Sequence, residues 1–364
     1  MKGLYICLQD FKDNSQAGVN NKILDQVSAF NNVGINMKLL GTKEKEIVVN
    51  KQNKDKKVGE FHGKIDKRLK VLKKAKEIII NEDIEYVYIR YFKSDFSFIN
   101  FLKQIRGNVK KIVIEIPTYP YENEVNNSII SLKKILNIID KIYRRKLNNY
   151  VDNIVTFSSC PNIFNIKTIN IDNGINVKRI KIKNNKSNKK NVTLIGVAAL
   201  SFWHGYDRVI NGIKRYYENG GTENVTFNIV GEGEDLENLK GLVESLNLNS
   251  HVKFLGVKTG KELDEEFDNS DIAVGSLGIH RLNLKEVSTL KLREYIARGI
   301  PFLYAYKDSG IKESLYFAIK FPADESYIDI NKVISFIKKN NFKNEEIRTY
   351  SEKFSWENQI KKMR

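Results

Sequence analysis

The sequence predicts an α/β protein made of two doubly wound parallel-sheet domains with a cleft between them. Three observations carry this. Short apolar runs alternate with longer amphipathic segments along nearly the whole chain. The alternation stops once, at a basic polar stretch, and then restarts. The chain has 364 residues, 41% hydrophobic and 29% charged, which suits two globular domains rather than a disordered polymer.

Each element follows in order. "GLYICL" reads as a buried strand, "NNKILDQVSAFNNVG" as a helix and "INMKLL" as the next strand. "KAKEIIINED" leads into the strand "YVYIRY". "DFSFINFLKQIRG" has helical spacing and leads into "KKIVIEIP". The long amphipathic helix "NSIISLKKILNIIDKIYRRKLNNYV" precedes the strand "NIVTFSS". Residues 176–191, "NVKRIKIKNNKSNKKN", have no apolar period and mark the passage between domains. After them the strands "VTLIGVAA", "VTFNIVGEG", "VKFLG", "DIAVGSL" and "IPFLYA" alternate with helices in "YDRVINGIKRYYENG", "EDLENLKGLVESLNL", "GKELDEEFDNS" and "TLKLREYIARG". Ligands of open α/β sheets bind at the carboxyl ends of the strands.

Composition narrows the function. No run of eighteen apolar residues appears, and "MKGLYICLQDF" turns polar too early for a signal peptide. Cys7 and Cys160 give no reason to pair, so a reducing cytoplasm is expected. The net charge of +17 suits a polyanion or reflects the heavy use of Lys, Asn and Ile. Dense basic runs in the N-terminal half, such as "KIDKRLKVLKKAKE" and "KIYRRK", favour an anionic membrane surface. Aromatic RNA-binding strands are missing, so no specific nucleic acid is expected. No Asp-x-Asp triplet and no His/Cys cluster suggests a metal, and no cofactor is expected.

Four stretches carry a resemblance: "AGVNNKILDQVSAFNNVG", "INIDNGINV", "NIVGEGEDLENLKGLVESLNLNSHVKFLG" and "EVSTLKLREYIARGIPFLYA". Together they resemble retaining glycosyltransferases of the GT-B fold, glycosyltransferase family 4 (glycosyl transferases group 1). "IEIPTYPYE" and "SFWHGYDR" look like its subgroup for bacterial surface polysaccharide, capsule included. The resemblance implies two Rossmann-like domains. The expected divisions are residues 1–180 on the acceptor side, a linker over 181–191, and a nucleotide-sugar domain over 192–342. A closing helix over 343–364 would cross back to the first domain, with Trp356 packed there.

The resemblance also assigns roles. Glu294 would hold the ribose hydroxyls and Glu286 the donor sugar, since a carboxylate accepts two hydrogen bonds from a diol. Backbone amides at Thr289 and Leu290 open a helix whose N-terminus suits the diphosphate, with Ser288 or Thr289 as its cap. Many relatives place an Arg and a Lys after the first strand of this domain, to stabilise the leaving group. Here Ala199 takes the Arg position and His204 the Lys position. His204 could donate a hydrogen bond or carry a raised-pKa charge. Otherwise Lys291, Arg208 or Arg281 must substitute, and Lys291 lies between the two glutamates. Gly18 would bring backbone close to phosphate or acceptor. Gly231 and Gly233 would shape a turn at the donor edge, and His280 would touch the donor sugar or its phosphates. Arg90, Glu115, Tyr119 and Glu122 are the acceptor-side candidates.

The reaction these residues imply is a metal-independent, front-face transfer of a sugar from a nucleotide-sugar to a glycan acceptor. That acceptor is expected to be lipid-linked, at the inner face of the cytoplasmic membrane. A nucleotide-sugar epimerase and a non-catalytic partner protein of the same fold are the alternatives.

Overall fold

The computed structural model describes residues 1–13, 16–51, 54–117, 119–121, 132–184, 191–284, 286–308 and 310–363, with backbone only at 17 and 132–134. The chain divides into two compact units. Unit 1 combines Met1–Gly174 with Trp356–Arg364, and unit 2 is Ile175–Ser355.

Unit 1 opens with β1 (Lys2–Asp10), α1 (Ala17–Asn32), β2 (Asn36–Lys43), β3 (Glu46–Lys51), β4 (Lys54–Glu60) and α2 (Lys64–Asn81). It continues with β5 (Tyr86–Arg90), α3 (Phe96–Ile105), β6 (Lys111–Ile116), α4 (Leu132–Tyr143), β7 (Asn153–Thr156), β8 (Asn162–Ile163) and β9 (Ile166–Asn170). The described strands run in the order β4-β3-β2-β1-β5-β6-β7-β9-β8. β1, β2, β5, β6, β7 and β9 pair in parallel. In β1 every residue from Gly3 to Cys7 is buried, because helices cover both faces. β3 and β4 are antiparallel additions at one edge that the sequence reading did not anticipate. β4 reads "KDKKVGE" and faces solvent, so it has no apolar alternation to betray it. A lysine-rich edge of this kind resists pairing with other chains.

Unit 2 runs β10 (Asn191–Val197), α5 (Asp207–Glu218), β11 (Asn224–Val230), α6 (Leu236–Ser245), β12 (Val252–Phe254), α7 (Gly260–Asp268) and β13 (Ile272–Val274). Then come α8 (Leu290–Arg298), β14 (Phe302–Tyr304), β15 (Ala318–Lys320), α9 (Ile330–Lys339) and α10 (Asn344–Thr349). The sheet is parallel, in the order β12-β11-β10-β13-β14-β15. From β10 the chain winds to one side; from β13 it winds to the other. The crevice at the carboxyl ends of β10 and β13 is therefore the switch point, the usual place for a ligand.

Unit 1 gives way to unit 2 after Gly174. Residues 175–184, the described part of the basic stretch, are fastened to unit 2. Arg348 donates to the carbonyls of Val177 and Ile180, at 2.7 and 2.9 Å. Lys181 reaches Asp268 at 2.9 Å, and the Lys183 N–H donates to the Arg298 carbonyl at 2.8 Å. The linker expected over 181–191 falls largely on residues 185–190, which lie outside the described residues; just before them Lys181 and Lys183 are held by the carboxylate and the carbonyl of Asp268. Residues 343–355 also stay with unit 2, and only Trp356–Arg364, with α11 (Trp356–Lys361), joins unit 1. A Cβ on Gly174 would sit 2.3 Å from the Trp356 ring, so glycine there makes room for the returning indole. Among the described residues no helix is long and apolar enough to cross a membrane.

Candidate functional site

Four loops converge at the carboxyl edge of the unit 2 sheet. The segment after β10 continues pairing past the strand: Ala198 N–H donates to Val230 at 3.0 Å and Leu200 N–H to Glu232 at 2.8 Å. This close run explains both glycines of "VGEG". A Cβ on Gly231, whose φ is +122°, would lie 1.9 Å from the Ala198 carbonyl oxygen, and one on Gly233 would lie 2.1 Å from that of Leu200. They shape the loop that carries Ser201–His204. The segment after β13 locks onto the same loop, with Leu277 N–H on the His204 carbonyl at 2.8 Å.

His204 is buried, and its Nδ1 accepts the Ser201 N–H at 3.0 Å. The neutral ring therefore keeps its proton on Nε2. Burial, and then the nearby Lys291 charge, hold the imidazole well below its usual 6.5, against the Ser201 bond. His204 is a neutral donor, and the charged alternative fails.

Lys291 lies in the first turn of α8. Its ammonium is 3.4 Å from the Tyr206 hydroxyl and 5.4 Å above that ring. Burial lowers its pKa to about 7, with Glu294 opposing. Two other cations proposed for the same task are engaged elsewhere. Arg208 donates to the carbonyls of Ser326, Leu277 and Pro322 at 2.6, 2.5 and 3.1 Å. Arg281 grips Asp207 in a bidentate pair at 3.0 and 2.7 Å, and also binds Glu325 and the Phe202 carbonyl. Both fasten loops together. His280 gives Nε2 to Glu325 at 2.7 Å, while its buried Nδ1 has no partner among the described residues.

The start of α8 is set by a fully buried ion pair, Arg293–Asp308. Asp308 also accepts the Thr289 N–H at 3.4 Å. Thr289 occupies the cap position, yet its hydroxyl is 2.5 Å from the Tyr306 hydroxyl and makes no capping bond. Among the described residues, the first-turn amides at Leu290 and Lys291 thus receive no cap from the Thr289 side chain. Glu286 stands just before the helix, mostly buried, 3.6 Å from Lys307. Glu294 stands in the next turn, 2.9 Å from Arg298 and one-third exposed. Glu286, Thr289, Leu290, Lys291 and Glu294 thus bracket one helix start. The site can offer carboxylates to hydroxyls, and amides with a cation to an anion.

Unit 1 treats its candidates differently. Gly18 lies inside α1, not in a loop, and a Cβ there would meet nothing within 4 Å. Glu115 is fully buried and so cannot touch an acceptor. It gathers Lys22 at 3.1 Å, Arg90 at 2.8 Å, and Gln26 and Tyr88 at 2.7 Å each. Burial alone would raise this carboxyl, but the Lys22 and Arg90 charges and the two hydrogen bonds bring it down to about 2. Tyr119 is half-buried and helps line a cavity of about 560 Å³ with Arg144, Arg145, Asn162 and Phe164. Thr118 and Glu122 lie outside the described residues.

Lys22, Tyr206 and Asp308 escaped the sequence reading. Lys22 and Gln26 sit one helical turn apart on the otherwise apolar face of α1, a signal that was available. Asp308 follows a buried strand in a turn and looks like ordinary turn chemistry.

Residues 177–354, nearly all of unit 2, match the family model for glycosyl transferases group 1. A search of curated proteins finds no match. Among solved structures, a glycosyltransferase from Rickettsia africae is 13% identical with a TM-score of 0.68, covering 100% of this chain and 96% of that one. Anabaena Alr3699/HepE in complex with UDP is 12% identical with a TM-score of 0.66, covering 100% and 99%. The lipopolysaccharide outer core galactosyltransferase WaaB is 14% identical with a TM-score of 0.62, covering 100% and 98%. These likenesses fix the fold as GT-B.

Proposed function

We propose that this chain, whose residues 177–354 match the family model for glycosyl transferases group 1, moves a hexosyl group from a nucleotide-sugar to a glycan acceptor with retention of configuration and without a metal ion. The observation that carries this is the start of α8: Lys291 between Glu286 and Glu294, on first-turn helix amides, at the switch point of the sheet. Glu294 holds the ribose diol and Glu286 the sugar hydroxyls. The diphosphate lies on the helix amides and Lys291, and His204 Nε2–H donates to it. As the anomeric C–O bond breaks, negative charge grows on the diphosphate, where these donors are aimed. The acceptor oxygen bonds to the same face of the anomeric carbon, and its proton passes to the departing phosphate. Solved relatives of this fold contain UDP and UDP-glucose, which supports a nucleotide-sugar donor.

For the acceptor, the cavity at Tyr119 joins rings to guanidinium groups, which suits a sugar next to a phosphate. This supports a lipid-linked saccharide in surface polysaccharide synthesis, with the protein peripheral at the cytoplasmic face. A thermal-shift screen with nucleotides and nucleotide-sugars tests the donor: one nucleoside diphosphate series raises the melting temperature. Glu294→Ala removes that response. If no member binds, or if the variant binds equally well, the reading fails. With the donor known, NMR of the product checks retention, and an unchanged rate in EDTA checks metal independence.

A further inference from the structure

Helix α4 is mounted with its polar side inward. Asp140, 1% exposed, accepts from the Tyr91 hydroxyl at 2.5 Å, from the Ser94 N–H at 2.6 Å and from the Tyr121 hydroxyl. One turn earlier Asn137 accepts from Lys93 at 2.6 Å, and just past the helix Arg144 donates to the Tyr121 hydroxyl at 3.0 Å. Polar bonds at i, i+3 and i+7 thus tie this segment to the rest of unit 1. The opposite face is apolar and bare: Ile135 is 52% exposed, Leu136 52%, Ile138 58% and Ile142 57%. A soluble helix normally turns such a stripe toward the core. Four large aliphatic side chains left together in water indicate a surface meant to be covered.

The flank says what covers it. Residues 141–146, "KIYRRK", carry four cations and no acid, and Lys141, Arg145 and Lys146 are exposed. Aliphatic residues bordered by cations fit a bilayer interface: the side chains enter the acyl boundary and the cations meet anionic headgroups. We propose that the outward face of α4 is the element that seats unit 1 on an anionic lipid surface. This names the part of the chain that makes the membrane contact, and it rests on the membrane-side placement of the acceptor proposed above. The same turns carry Arg144 and Arg145 into the cavity at Tyr119, so docking would bring that cavity to the headgroup layer.

The test is flotation of the full chain with vesicles of equal parts phosphatidylcholine and phosphatidylglycerol, against vesicles of phosphatidylcholine alone. Binding is expected to the anionic vesicles only and to weaken with salt. The double variant Ile138→Glu, Ile142→Glu is expected to bind at least about tenfold less. Its response to nucleotides in the thermal-shift screen should be unchanged, which shows that it folds. Wild-type protein that ignores anionic vesicles overturns the proposal, as does a folded double variant that binds as well as wild type. Concentration-dependent dimerisation that the double variant abolishes, without vesicle binding, would also overturn it and give the face to a second copy. Because the vesicle assay needs no sugar donor, failure there is separable from failure of the transferase reading.

Discussion

Lys291 shows how burial turns a common side chain into a sensor of its ligand. With a pKa of about 7 in the free protein, it is partly deprotonated near neutrality. A bound diphosphate favours its charged form, so binding takes up a proton above pH 7. Affinity for a nucleoside diphosphate should then fall as pH rises from 7 to 9, by up to about tenfold per unit. Calorimetry across that range measures it. Lys291→Met should flatten the profile and weaken binding at pH 7 by about 10- to 100-fold, the worth of a charge-assisted bond. The sign for stability is opposite. The unfolded chain holds this proton up to about 10.5, so the residue's contribution to stability rises between pH 7 and 10.5. Glu115 behaves in the reverse way. Its folded pKa of about 2 lies below the ordinary 4.5, so the stability it contributes is present above 4.5 and is lost as pH falls toward 2. Glu115→Gln leaves the buried Lys22 and the partly buried Arg90 without a counter-charge and should cost about 3–5 kcal/mol in urea unfolding. Adding Lys22→Met should recover part of that loss.

At the scale of elements, the loops at the carboxyl edge are set by backbone clearances more than by side chains. Gly231→Ala would combine a strained φ with a collision against the Ala198 carbonyl, and the loop bearing His204 would have to move. A loss of about 2–4 kcal/mol is expected, together with weaker nucleotide binding, read by urea unfolding and thermal shift. These elements were legible in the sequence to different depths. The parallel strands were plain, because buried both sides they read as unbroken apolar runs. So was the start of α8, where a glutamate and a cap residue precede, and a lysine opens, a helix capped by Gly299. β3 and β4 were not, since a solvated edge leaves no apolar period. Nor was the division of labour among cations: Arg208, Arg281 and Lys291 look alike in one dimension. Only tertiary contact shows that the first two hold loops and that the third lies beside His204 and Tyr206. Glu115 misled because a strand-end carboxylate looks the same whether it faces a ligand or a buried lysine.

At the scale of the molecule, unit 1 is discontinuous, and its core includes residues from both stretches. Trp356, Ile360 and Met363 are buried with Phe30, Tyr86 and Phe157. A chain stopped after Ser355 should keep unit 2 and its nucleotide response while unit 1 loses protection. Hydrogen exchange should show the loss in β1, β5 and α1, and added peptide 356–364 should restore part of it. The arrangement also sets a timetable for synthesis. A ribosome releases some 170 residues of unit 1 and then all of unit 2 before the indole that fits beside Gly174 exists. Until then the nascent first half waits with an apolar trough open. The chain's earliest-made half is therefore its last to mature, and chaperones have their longest opportunity there.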